Sequence, residues 1–145
     1  MMWQKTLRVC VLAVVVFGNS SARPAERTTK PADNHAWLTK HPTIQKLLRL
    51  HNEERARYGL SELTLNPNMC KAAQSHAVWM AKTGWYQHSN LPWPEIIHSG
   101  PRTAEATVLG WIYSPAHHGN MLSGSEAGFG YMVNNGQTYW VGVFN

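Results

Sequence analysis

Apolar positions recur along the chain with two periods, and the change from one to the other divides it. Ile44, Leu47, Leu48, His51, Arg55 and Tyr58 follow Thr43 at helical spacing, with Thr43 placed to cap the helix and Gly59 to stop it. Asn66-Pro67 offers an N-cap and a first-turn proline for a second helix, whose stripe Met69, Ala73, His76, Ala77 and Met80 ends near Gly84. A third helix is predicted from Thr103, with Ala104, Val108, Trp111 and Ile112 on one face, and it ends where Ser114-Pro115 disfavours further helix. A short turn or helix around His117 to Leu122 comes next. The period then falls to two: Phe129, Tyr131 and Val133 alternate before Asn134-Asn135-Gly136, and Tyr139, Val141 and Val143 alternate after it, which predicts a β-hairpin. Residues 85–101, dense in His, Pro and Trp, show no sustained period and read as a structured loop, of a length that is usually functional in a compact domain. Helices precede antiparallel strands in an α+β order, with no internal repeat of domain scale.

Ahead of Thr43 the pattern changes character. Lys5 and Arg8, the apolar run Val9 to Phe17 and the small residues Ser20-Ser21-Ala22 make residues 1–22 a secretory signal peptide. That run is about half the roughly 20 residues that span a bilayer, and no later stretch comes closer, so no integral span is expected in the mature protein. Residues 23–42, rich in Pro, Thr and charge, read as a mobile linker, which leaves 43–145 as one domain. The net charge of +5 sits mostly in the tail: six Lys and Arg against two acidic residues precede Thr43, and seven against six follow it. The nearly neutral domain has no basic stripe, which argues against a nucleic-acid partner. Of the two cysteines, Cys10 leaves with the signal, so no disulfide within the mature chain is expected, and Cys70 reads as a small buried hydrophobe.

Several segments in this order resemble the CAP superfamily of cysteine-rich secretory, antigen 5 and pathogenesis-related proteins. Leu50 to Arg57 with Gly59-Leu60 is similar to the opening helix of that family, and Leu63 to Pro67 through Ala72 to Ala77 to its second. His88-Ser89 resembles the segment of the first cleft histidine, and Glu95 stands at the glutamate of a motif that normally reads Gly-Glu-Asn-Ile. Trp111 to Leu122 matches the bacterial-type signature around the second cleft histidine, here His117, and Gly128-Phe129-Gly130 with Tyr139-Trp140 and Phe144 resembles the closing hairpin. The resemblance implies a three-layer α-β-α sandwich with a small antiparallel sheet, and a cleft that gathers His88, Glu95, Ser114, His117 and Asn120. Ser114 stands where many members carry a second glutamate, and Pro94 and Ile96 replace the glycine and asparagine around Glu95.

Two imidazoles and a carboxylate are the donors of an open divalent metal site, so the resemblance makes His88, Glu95 and His117 the ligand candidates and zinc the cofactor they would hold. Affinity for metal or ligand would fall below about pH 6.5, where an unperturbed imidazole protonates. The other histidines carry blander expectations: His51 and His76 hydrogen-bonded in the core, His118 a surface contact where relatives place arginine, and His98 and His41 without a motif. Glu105 reads as a first-turn acid on a helix dipole. Trp79, Trp85, Trp93 and Trp111 are consistent both with core filling and with a ligand-stacking surface.

Three functions compete. The favoured one is a secreted, non-enzymatic binding module for a lipid, a peptide or a cell-envelope ligand. The second is a metal-dependent hydrolase, peptidase-like, with metal-bound water attacking a carbonyl and Glu95 as base, although the HExxH helix of common metalloproteases is absent. Ser89 and Ser114 lie near histidines in sequence without the glycine elbow of a serine hydrolase. The third makes the domain an adhesion unit working through exposed tryptophans.

Overall fold

The computed structural model describes residues 35–145; the segment read as a signal peptide, and Cys10 with it, lies outside them. The chain forms helices α1 (Ala36–Lys40), α2 (Pro42–Arg57), α3 (Pro67–Thr83), α4 (Ala104–Ile112) and α5 (Pro115–Met121) and strands β1 (Thr64–Leu65), β2 (Glu95–Ser99), β3 (Glu126–Asn134) and β4 (Gln137–Phe144). The strands make one sheet in the order β1-β3-β4-β2, antiparallel except for the short parallel pairing of β1 with β3. Helix α3 covers one face and α2 with α4 the other, which is the expected three-layer sandwich with a mixed rather than wholly antiparallel sheet.

Local chemistry explains most element ends. Pro42 occupies the first helical position, where its missing N–H costs nothing, so α2 starts two residues earlier than the Thr43 cap predicts. The cap is His41, whose Nδ1 accepts from the Thr43 amide at 3.3 Å, and the Thr43 hydroxyl instead donates to Tyr131 Oη at 3.4 Å. Asn66 caps α3 through the amides of Asn68 and Met69, and Gly84, at φ 73°, closes it. Thr103 caps α4 as its sequence predicts. Asn135 and Gly136, both at positive φ, form the two-residue turn between β3 and β4.

Two segments depart from the sequence expectation. Residues 36–40, read as linker, form α1, and Leu38 is buried against the core. Residues 95–99, read as loop, form β2. Ile96 and Ile97 are both buried, one on each face, so the strand carries no alternation, and only its pairing with β4 reveals it.

Side-chain alternation along β4 builds the two halves of the core. Trp140 and Phe144 meet Ile44, Leu47, Val108 and Trp111 on the α2/α4 side, whereas Tyr139, Val141 and Val143 meet Ala73, Ala77 and Met80 of α3. Cys70 is buried and free. On the α3 side of β3 two glycines remove the side chains altogether: a Cβ on Gly128 would lie 2.2 Å from the Met69 carbonyl carbon, and one on Gly130 would lie 2.3 Å from the Gln74 nitrogen. The helix backbone therefore rests on the strand backbone. Gly130→Ala should cost about 1–3 kcal/mol or more because backbone must move, whereas Gly119→Ala in α5, with nothing within 4 Å, should be neutral or stabilising; urea denaturation of both variants measures the contrast.

His51 is fully buried among Trp111, Phe129 and Phe144. Its Nδ1 lies 2.7 Å from the Leu47 carbonyl oxygen and donates to it, and Nε2 has no hydrogen-bond partner among the described residues. Burial lowers its pKa to about 4. The unfolded chain takes up this proton near the ordinary 6.5 and the folded chain only near 4, so the stability tied to a neutral His51 is complete above 6.5 and is lost as pH falls through that window. Over it the loss is roughly 3 kcal/mol. The stability difference between His51→Phe and wild type, from urea midpoints, should shift toward the variant by about 2–3 kcal/mol between about pH 8 and about pH 4.5.

Candidate functional site

Glu95 opens β2, the strand at one edge of the sheet, and its side chain points to the α3 face together with Ile97 and Val143. Its carboxylate is buried, and its partners come from the loop that leads out of α3. His88 Nδ1 donates to Oε1 at 2.8 Å, the Ser89 amide donates to the same oxygen at 2.9 Å, and the Ser89 hydroxyl donates to Oε2. The carboxylate fixes the imidazole tautomer, leaving His88 Nε2, on a side chain that is 56% exposed, as the ring nitrogen without a partner among the described residues.

The second histidine arrives from the other side. Helix α5 packs on β2, where the Asn120 amide donates to the Glu95 carbonyl oxygen at 3.3 Å, and His117 stands with its ring centroid 6.3 Å from that of His88. Partial burial lowers the His117 pKa, and the neighbouring imidazoles of His88 and then His98 lower it further. Neutral His117 is the form that can offer a lone pair to a metal or accept a hydrogen bond from a ligand.

Four of the five residues expected in the cleft are thus linked: His88, Glu95, His117 and Asn120. Ser114 caps the start of α5 through its backbone carbonyl, and its side chain makes no capping hydrogen bond. Glu95 faces His88 and Ser89 as their acceptor. Among the described residues no three His, Cys, Asp or Glu side chains are grouped to hold a metal ion. The residues that could offer lone pairs to a divalent cation are the two imidazoles, with Glu95 orienting that of His88. Ser89 does not form a hydrolase relay, because the acid lies between the serine and the histidine, and the Ser89 proton is directed at Glu95.

The remaining histidines fall differently from expectation in three places. His98, which carries no motif, alternates with Ile96 along β2, lies beside Gly110 of α4 and acts electrostatically on His117; the strand period would have revealed its side of the sheet had β2 been recognised. His118 is more than a surface contact, since its Nε2 reaches the buried Glu54 at 2.8 Å. His76 is hydrogen-bonded to the Gln87 carbonyl at 2.9 Å but lies half-exposed, stacked on Trp79 at 5.6 Å. Glu105 is exposed and paired with Lys46 at 2.8 Å, away from the cleft. Trp111 fills the core and donates to the Ile97 carbonyl, Trp93 is half-buried, and Trp79 and Trp85 face solvent.

Residues 48–144 match the model of the family described as cysteine-rich secretory proteins, CAP. Among solved structures, an outer surface protein of Borrelia burgdorferi superposes with a TM-score of 0.63 at 18% identity, over 69% of this chain and 89% of that one. Venom allergen-like protein 4 of Schistosoma mansoni gives 0.58 at 13% identity, over 71% and 87%. An extracellular protein of Bacillus anthracis containing an SCP domain gives 0.57 at 18%, over 71% of this chain and 40% of that longer one. At these identities the likeness establishes the fold. No curated protein sequence matches the chain.

The histidine pair has a spectroscopic consequence. His117 should titrate below the ordinary imidazole value of 6.5 in proton NMR, and His88→Ala should move its midpoint upward by removing a neighbouring imidazole.

Proposed function

The chain belongs to the cysteine-rich secretory protein (CAP) family, and from that premise we propose that it is a secreted, non-enzymatic binding module whose ligand is met by the His88–His117 pair. Membership supplies a scaffold that serves many functions, so the site has to carry the argument. The observation that carries it is the engagement of Glu95. Both carboxylate oxygens are held by His88 and Ser89, so the one buried acid of the cleft serves to orient an imidazole and is not disposed to take a proton from water. The hydrolase reading depends on Glu95 as a free base or as a third metal ligand, and this arrangement weighs against both.

Two neutral imidazoles suit a divalent cation such as zinc, held by His88 Nε2 and His117 with the other coordination positions left to water or to a donor atom of the ligand. When bound, such an ion would supply a positive charge that attracts a carboxylate or carbonyl oxygen of a peptide, a lipid head or an envelope polymer. The residues of this chain contribute the orientation: Glu95 sets the His88 ring, and Asn120 fixes α5, and with it His117, against β2. The extracellular address is supported by the signal-like pattern of residues 1–22 and by the family description. No described helix is long and apolar enough to cross a membrane.

Zinc calorimetry on the secreted chain, beside the His88→Ala, His117→Ala double variant, is the direct test. Micromolar binding in the wild type and none in the folded variant is the expected result, together with no turnover of peptide or ester substrates by the zinc-loaded protein. Turnover that disappears in the double variant would reverse the reading in favour of the hydrolase.

A further inference from the structure

The surface holds a concavity of about 300 Å³ lined by His76 and Trp79 of α3 and by Gln87, His88, Ser89 and Asn90 of the following loop. Its floor is aromatic. The His76 ring is stacked on the Trp79 indole, at 13° and with centroids 5.6 Å apart, which pairs the two rings into one aromatic surface. That surface is not used in the core, since Trp79 keeps 39% of its area exposed. Its rim is polar. His76 Nε2 bonds the Gln87 carbonyl at 2.9 Å and so pins the loop to the helix, while among the described residues the side-chain amides of Gln87 and Asn90 have no partner. Two further exposed rings, Trp85 at 66% and Tyr86 at 52%, stand immediately before Gln87.

The chemistry of this ledge selects a ligand class. None of the six lining residues is Lys, Arg, Asp or Glu, so no fixed charge there favours a phosphate or a sulfate. An indole face carries negative quadrupole potential and attracts weakly positive C–H groups, the kind that line one face of a pyranose ring. Free amides both donate and accept, which matches hydroxyl and acetamido groups around the edge of such a ring. The volume is at the small end for a ligand pocket and suits one sugar unit. A lipid tail would find too many unsatisfied amides, and an extended peptide would need a free strand edge, which the loop does not offer.

We propose that the Trp79–His76 ledge with Gln87 and Asn90 is a binding site for a neutral, pyranose-based glycan. The inference rests on the binding-module reading, which it deepens by naming a ligand class for the surface adjoining the cleft.

Titration of the full secreted chain with chitotetraose, cellotetraose and maltotetraose, followed by tryptophan fluorescence and by amide NMR shifts, tests it. At least one oligosaccharide should bind saturably, with shifts centred on residues 76–90. Trp79→Ala should weaken that binding by about tenfold or more, the paired Gln87→Ala, Asn90→Ala variant should weaken it as well, and Trp37→Ala, at an exposed tryptophan of α1, should leave it unchanged. Binding unaltered in a folded Trp79→Ala protein, or no saturable binding of any of the three sugars, would overturn the proposal. Zinc calorimetry keeps the two readings apart. Glycan binding by a protein that takes no zinc sinks only the metal-bearing cleft, and zinc binding without glycan binding sinks only the ledge.

Discussion

Helix α3 rests on main chain. At Gly128 and Gly130 the strand presents no side chain, and the backbone of Met69, Cys70, Ala73 and Gln74 occupies the space a Cβ would take. The contact is reinforced where the Gln74 amide bridges the backbone of Tyr131, accepting from its N–H at 3.0 Å and donating to its carbonyl at 2.8 Å. This approach fixes the height of α3 above the sheet, and so the point from which the loop after Gly84 departs. Residues 85–94 then reach the edge strand β2 with His88 and Ser89 on the Glu95 carboxylate. A thicker spacing between helix and strand would shift the root of that loop relative to the carboxylate that orients His88.

The opposite wall of the cleft is held by a different device. Arg55, near the end of α2, is buried, and its guanidinium donates to the carbonyl oxygens of Ser61, Met121, Ser123 and Gly124. These oxygens belong to the chain leaving α2 and to the chain leaving α5. Hydrogen bonds to a charged donor contribute about 1.5–3 kcal/mol each, so one side chain anchors both turns at once. Beside it the buried Glu54 receives His118 from α5 at 2.8 Å and Arg57 at 3.2 Å. Two adjacent residues of α2, one cationic and one anionic, therefore set the position of α5, and α5 carries His117 and Asn120 to the edge of β2. The cleft is assembled from the loop of residues 85–94, the start of β2 and the seven-residue helix α5, which hydrogen bonds and an ion pair tie to one another and to the sandwich.

Helices α2, α3 and α4 and the closing hairpin could be read from the amino-acid order because their signals are local: a stripe at helical spacing, a capping side chain beside a proline, and Asn-Gly at a tight turn. The motifs that resemble the CAP family added the sandwich and the pairing of His88 with His117, which no local signal contains. Strand β2 escaped because a strand buried on both faces shows no alternation, and α1 escaped because five residues flanked by polar sequence present too few apolar positions for a stripe.

What the sequence determined by itself is therefore the three longer helices and the closing hairpin, their order, and the residues able to do chemistry at neutral pH. The tertiary structure decided which of those residues face one another. Glu95 emerged as the acceptor that holds His88, and Trp79 emerged as an exposed ring beside free amides. The physical reason is that helix caps, turns and periodicity act over a few residues, whereas the protonation state and availability of a carboxylate depend on groups brought to it by the chain. Here the backbone contact between α3 and β3 and the buried guanidinium of Arg55 supply that placement.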